Sequence, residues 1–304
     1  MVEHPTIAVA AFYRFARLDD LARQRDELQE LCEGLGIRGI LLLAQEGING
    51  TLAAPSDALQ AALAGITAMI GLELEPKFSQ ASKPPFRRLR VRIKREIVTI
   101  GDKSVDPVQR VGHYVEPEAW NALIADPDVL VIDTRNAYEV AVGSFTGAID
   151  PDTQSFSEFS DYVRNNLDPA GQRKVALFCT GGIRCEKASS FMLGQGFTEV
   201  YHLKGGILSY LEKVPEAQSL WQGGCFVFDE RVAVGHALAV LPVRFCLSCN
   251  WPLDSTMLQS TDYEEGVCCP RCVLTLSDTQ KASARERQKQ IMLAQKRGKT
   301  HLAG

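Results

Sequence analysis

Residues 175–186, VALFCTGGIRCE, run from an apolar strand through a glycine-bearing turn, opened by Cys179 and closed by Arg184, into the start of a helix. A cysteine ending such a strand has several backbone N–H groups converging on its sulfur, and the helix dipole adds partial positive charge there. Thiolate is the nucleophilic form, and Arg184 sets a fixed cation at the far edge of the loop. The expectation is an ionised Cys179 open to an incoming substrate, with Thr180, Gly181, Gly182, Ile183 and Cys185 completing the loop. A buried cysteine in an ordinary strand-to-helix turn is the competing explanation. It leaves Gly181, Gly182 and Arg184 without a packing reason to sit together.

Upstream, the helical stretch EAWNALI leads into VLVIDTR, a strand that, like VALFC, carries the apolar run of a strand buried on both faces of a parallel sheet. Asp133 and Arg135 fall at its carboxyl end, where open parallel sheets gather their sites; a hydrogen-bonded pair bracing the cysteine loop ranks ahead of direct catalysis. Downstream, EKASSFMLGQ places Ala188, Phe191 and Met192 at helical spacing and stops at Gly196, and VYHL, KGG and ILSYLE close an α/β domain over residues 123–217. Residues 102–122, polar and carrying Pro107, Gly112 and Pro117, read as a linker, with His113 a surface residue.

Residues 1–101 alternate strand and helix signals: TIAVAAF, a helical run from Leu18 to Leu35 ending at Gly36, GILLLA, the turn EGING, TLAA, a helix from Ser56 to Ile70 and a final strand pair. The order βαββαβ predicts a ferredoxin-like α+β domain, with Ser56 and Gly36 as helix caps and Glu46 and Asn49 able to face a ligand. In FRRLRVRIKREI a period of two puts Arg88, Arg90, Arg92 and Lys94 on one face and Leu89, Val91 and Ile93 on the other. Four like charges on alternate residues repel one another, so a polyanion gives them a purpose, and nucleic-acid contact stands slightly ahead of a merely solvated face. Phosphate contacts carry no base information, so no sequence-specific reading follows.

The chain has 304 residues, 45% of them hydrophobic, enough for two or three cored domains. No apolar run reaches the length of a membrane helix, and Glu3 with no basic segment before Thr6–Phe12 is not a secretory leader, so a cytoplasmic protein is expected. The net charge of −4 hides two basic stretches, one from Lys83 to Arg95 and one from Lys281 to Lys299. Nine cysteines, an odd number with several in CxxC spacing, fit metal ligation better than disulfides. Cys246, Cys249, Cys269 and Cys272 have the double-knuckle spacing of a zinc ribbon within a β segment and Cys-paired region over 218–276, with Cys268 able to replace Cys269. A pocket of unliganded thiols is the alternative. Residues 277–304 are basic and helix-prone without an apolar stripe, a frayed helix or flexible tail.

The C-x4-R span is one residue shorter than the loop of a protein tyrosine phosphatase, and its tighter cradle favours a persulfide over a phosphate ester. DTRNAYEVAVGSFTGAI, CTGGIRCEKASS and VYHLKGG resemble, in order, the hallmark segments of rhodanese-like domains, over about Leu123 to Val214. Together with AQEGING, the basic strand, FVFDER and the cysteine-paired tail, they make nearly the whole chain resemble the bacterial tRNA uridine hydroxylases that contain a rhodanese domain. The resemblance implies oxygen-dependent conversion of the wobble uridine of tRNA to 5-hydroxyuridine with Cys179 essential, O2 as co-substrate, an unidentified electron donor and the anticodon region of tRNA as partner. Two positions depart from ordinary rhodaneses: Cys185 stands where Ser or Thr follows the loop arginine, and Ser144 where His is usual.

Two routes stay open: Cys179 thiolate adds to uridine C6 and makes C5 reactive, or oxygen first converts Cys179 to a sulfenate or persulfide. No dinucleotide fingerprint and no two-His-one-carboxylate set is present, so flavin, NAD and non-haem iron are not indicated. Cys185 either resolves an oxidised Cys179 or packs at the helix start. A sulfurtransferase carrying a Cys179 persulfide to tRNA or protein is the second reading, and a tRNA-binding module with a vestigial loop the third.

Overall fold

The computed structural model describes residues 7–171, 174–229 and 231–297. Residues 1–6, which bear on the expected lack of a secretory leader, and 298–304 of the expected tail lie outside the described residues. The chain forms two compact units, one up to Leu241 and one from Pro242.

The first unit opens with β1 (Ile7–Phe15), α1 (Leu21–Gly34), β2 (Arg38–Ala44), β3 (Gly47–Ala54), α2 (Ser56–Ile70), β4 (Lys77–Ala81) and β5 (Leu89–Ile93). They make a five-stranded sheet, β4-β1-β3-β2-β5, so the βαββαβ order is present and extended by one edge strand parallel to β2. Alternate residues face the helices: Ala10, Phe12, Leu41, Leu43, Ile48, Leu52 and Val91 share one core with Leu28, Leu59 and Ile66. Helix α2 has the expected bounds, but Pro55 rather than Ser56 stands at its cap position, while Gly36 follows α1 in the left-handed region.

The second half of this unit comprises β6 (His113–Val115), α3 (Pro117–Ile124), β7 (Val129–Asp133), α4 (Ala137–Val140), β8 (Gly143–Phe145), α5 (Phe159–Asn166), β9 (Lys174–Phe178), α6 (Ile183–Gly194), β10 (Glu199–Leu203) and α7 (Gly206–Lys213). An all-parallel sheet, β6-β10-β9-β7, lies at its centre. Along β9, Ala176 and Phe178 enter the core on one face, while Val175, Leu177 and then Cys179 enter the core on the other. The expected linker is therefore corrected: His113–Val115 is a strand of this sheet and Pro117 opens a helix, so this α/β region begins about ten residues before Leu123.

The expected break at residue 218 is also displaced. Strands β11 (Trp221–Gly223), β12 (Cys225–Phe226) and β13 (Ala233–Val234) belong to the first unit, β11 pairing with β8. The second unit holds β14 (Arg244–Phe245), β15 (Pro252–Leu253), α8 (Ser255–Gln259) and α9 (Asp278–Lys296). Of the two expectations for residues 277–304, the helix is present over Asp278–Lys296, 19 residues long, and its Ala284 is buried with Val267 and the cysteines. Ala284 is joined by Arg285, which pairs with Glu264 at 2.7 Å, so polar contacts hold the helix where no continuous apolar stripe exists.

Candidate active site

Cys179 directly follows β9, and its sulfur accepts the Gly182 N–H at 3.1 Å. The loop's carbonyls are held from the other side, where the N–H groups of Ile207 and Leu208, at the start of α7, donate to the oxygens of Cys179 (2.9 Å) and Thr180 (3.1 Å). This contact needs glycine at the KGG turn: Gly206 has φ +67°, and a Cβ there would lie 2.5 Å from the Cys179 oxygen. Gly182 is equally constrained, at φ +103° with the Tyr13 hydroxyl 2.8 Å from where its Cβ would stand.

Arg184 does not point at the sulfur alone. Its guanidinium makes a two-pronged ion pair with buried Glu139, at 2.6 and 2.7 Å, and Thr180 donates to the same carboxylate. Burial pushes the Glu139 carboxyl up, but Arg184 outweighs it and holds the carboxyl below its ordinary value. Burial likewise pushes the Cys179 thiol up, and hydrogen bonds from the Cys185 thiol and amide, the Arg184 cation and the Gly182 amide overcome it, bringing the thiol down to about 5. Cys185 goes the other way, held protonated by burial and by its anionic neighbour. One sulfur of the pair thus carries the charge.

Asp133 and Arg135 form a fully buried pair at 2.6 and 2.9 Å, with Ser144 donating to Asp133 at 2.9 Å and Arg135 donating to the Gly143 oxygen at 2.6 Å. Neither residue lines the cavity above the loop. Their geometry is that of a brace between β7 and β8, and Ser144 occupies the place of the usual histidine as a further strut.

That cavity, about 410 Å³, lies between the loop and the helix-free face of the N-terminal sheet. Cys179 lines it, yet the residue is 0% exposed to bulk solvent, which corrects the expectation of an open thiol: the sulfur faces a chamber. Strand register explains the chamber's other wall. One row of residues in register runs Lys77, Ala11, Thr51, Ile40, Arg90 across all five strands, and a second runs Tyr13, Asn49, Leu42, Arg92. Every member except the two arginines lines the cavity, so Arg90 and Arg92 continue its wall to the exposed sheet edge. Arg88 and Lys94 flank them, also exposed, while Ile93 at the strand's end is 44% exposed rather than buried.

Val227, Phe228, Asp229 and Arg231 also line the chamber. Arg231 pairs with Asp229 at 2.6 Å and reaches across to the Ser79 hydroxyl of β4, also at 2.6 Å. The turn EGING docks the two halves together. Glu46 pairs with buried Lys187 of α6 at 2.9 Å and accepts the Ile97 N–H, while Lys187 also meets Glu96. Asn49 lines the cavity with its amide donating to the Ile97 oxygen at 3.2 Å. Sequence reading missed Tyr13, Lys77 and Glu139. Only Glu139 had a local signal, the N-x-x-E of a helix start, and its backbone half is present: Glu139 accepts the Asn136 N–H at 3.2 Å.

In the second unit the donor atoms of Cys246, Cys249, Cys269 and Cys272 all lie within 4.8 Å of one another, a group that can hold a metal ion. Sulfur separations are 3.7 Å for Cys246–Cys272, 3.6 Å for Cys249–Cys269 and 3.8 Å for Cys269–Cys272. Four thiolates around zinc at 2.3 Å stand about 3.8 Å apart, which these three separations match. Cys268 stands outside the group, its thiol directed to the Asp262 oxygen.

Residues 7–97 match the family described as UPF0176 acylphosphatase like domain, and residues 116–213 the rhodanese-like domain. A curated relative from Brucella ovis is 54% identical over 95% of this chain and 95% of its own length. Another, from Agrobacterium fabrum, is 54% identical over 97% of this chain and 94% of its own. Both are named tRNA uridine(34) hydroxylase. With that identity over nearly its full length, the chain belongs to the tRNA uridine(34) hydroxylase family.

Proposed function

We propose that this protein hydroxylates C5 of the uridine at position 34 of tRNA, using O2 and an external electron donor, with Cys179 as the reactive group. The observation that carries this reading is the register of the N-terminal sheet. It sets a run of exposed cations at the mouth of a chamber whose floor is an acidic thiol. Phosphates held at Arg88, Arg90, Arg92 and Lys94 fix the anticodon strand. A single unstacked base then enters the chamber, which at about 410 Å³ is within the range of small-ligand sites. Arg184 and the Gly182 amide keep Cys179 ionised, Asp133 and Arg135 brace β7 against β8 beneath it, and the four clustered cysteines bind zinc as a structural element.

The test is nucleoside mass analysis of tRNA from cells with and without the gene. Loss of a species heavier than uridine by one oxygen supports the hydroxylase; loss of a sulfur-bearing species instead would make the protein a sulfurtransferase acting through a Cys179 persulfide.

A further inference from the structure

Three cations line the chamber among the described residues, and two are already neutralised: Arg184 by Glu139 and Arg231 by Asp229. The third, Lys77, has no carboxylate within ion-pair distance among the described residues. Its ammonium donates instead to the backbone oxygen of Gly181, at 2.8 Å, inside the cysteine loop. An ammonium has three donors, so this bond leaves two for a ligand. The N-terminal sheet delivers Lys77 to the loop at one end of the register row whose other end is Arg90. It also lies 5.5 Å from the ring centre of Tyr13, whose hydroxyl is bonded to Glu186 at 2.6 Å. Burial lowers the Lys77 pKa, while the neighbouring thiolate of Cys179 and the carboxylates Glu75, Glu186 and Glu212 work against that fall.

We infer that Lys77 is a catalytic residue, its ammonium binding the 4-oxygen of the uracil ring and taking up the negative charge formed when Cys179 adds to that ring. The inference rests on the uridine chemistry proposed above. In this step the sulfur lone pair forms an S–C6 bond, the C5=C6 electron pair moves between C5 and C4, and the C4=O pair moves onto O4. No proton leaves and nothing is oxidised or reduced. The charge that leaves sulfur arrives on O4 as an enolate, and C5 becomes electron-rich. A fixed donor at the atom where charge develops stabilises this step more than it stabilises the bound substrate. Arg184 and Arg231 already share their charge with Glu139 and Asp229, so Lys77 is the chamber cation with most charge left to give.

An enolate of this kind exchanges its C5 hydrogen with water, so the step is read without oxygen as tritium release from tRNA carrying uridine labelled at C5. The full-length wild-type protein is expected to release tritium, and Lys77→Met to do so about 100-fold more slowly. Affinity for tRNA is expected to change less than about threefold, because one cation of many is lost. Lys77→Arg, which keeps the charge on a different geometry, is expected to recover at least about a tenth of the wild-type rate. Exchange by Lys77→Met at the wild-type rate overturns the inference. So does equal loss in Lys77→Met and Lys77→Arg, or a Lys77→Met protein whose Cys179 no longer alkylates at acid pH, since either marks Lys77 as a strut for the loop. Hydroxylation by wild type without any exchange also overturns it. A wild-type protein that neither exchanges nor hydroxylates refutes the uridine reading itself, an outcome distinct from failure at Lys77 alone.

Discussion

The molecule gathers sulfur in two places and treats it in opposite ways. In the first unit, Cys179 and Cys185 sit beside a fixed guanidinium and directed amides, and the charge is confined to one thiol by groups the chain itself supplies. In the second, four sulfurs come within 3.6–3.8 Å of one another in the pairs Cys246–Cys272, Cys249–Cys269 and Cys269–Cys272. Two like charges at such a distance repel by about 4 kcal/mol at an effective dielectric of 20, so four thiolates there require a multivalent cation from outside. The contrast teaches that a cysteine's neighbours separate a reactive site from a structural one better than its burial does. Cys179 and Cys269 are both fully buried.

The comparison breaks most visibly if metal is removed. Chelation is expected to unfold residues 242–297 and leave the first unit folded, because zinc binding supplies about 10–16 kcal/mol in small zinc-held units. Hydrogen exchange measured along the chain checks this, and equal protection of both units before and after chelation would show the cluster to be a pocket of plain thiols. Next in size is Glu139→Gln, which leaves the Arg184 charge buried without its partner and is expected to cost about 3–5 kcal/mol of stability in urea titrations. The same pair predicts a pH effect. Because the folded-state carboxyl of Glu139 is held below its ordinary 4.5, its contribution is complete above that pH and lost as pH falls further. The Glu139→Gln variant should therefore lose less stability on acidification than the wild type. The smallest effect sharpens the contrast: iodoacetamide should modify Cys179 with a rate that rises through pH about 5 and stays level to neutrality. Cys32, which burial pushes up to about 11, should stay unreactive across that range.

Much of the site was legible because its signals are local. A strand, two glycines and an arginine within one turn announce a thiolate cradle, alternate arginines announce a two-faced edge strand, and paired CxxC spacing announces a four-sulfur cluster. Where reading failed, the cause was tertiary. Tyr13 and Lys77 sit in ordinary strands, and only the docking of the N-terminal sheet against α6, through Glu46, Glu96 and Lys187, brings them to the loop. Glu139 finds Arg184 across 45 residues. The strand His113–Val115 escaped because three largely exposed residues at a sheet edge leave no hydrophobic period to detect. The helix Asp278–Lys296 was underestimated because its packing rests on too few apolar side chains to form a stripe.

The chamber's walls come from residues on both sides of the join between the two halves of the first unit, from Ala11 to Ser79 and from Asn136 to Leu238. Each half has its own hydrophobic core. A gene cut at that join would thus yield two fragments with intact interiors and no enclosed space between them. Recombination that exchanges one half for a foreign homologue must preserve the facing contours of both, so the pair is expected to be inherited as one block.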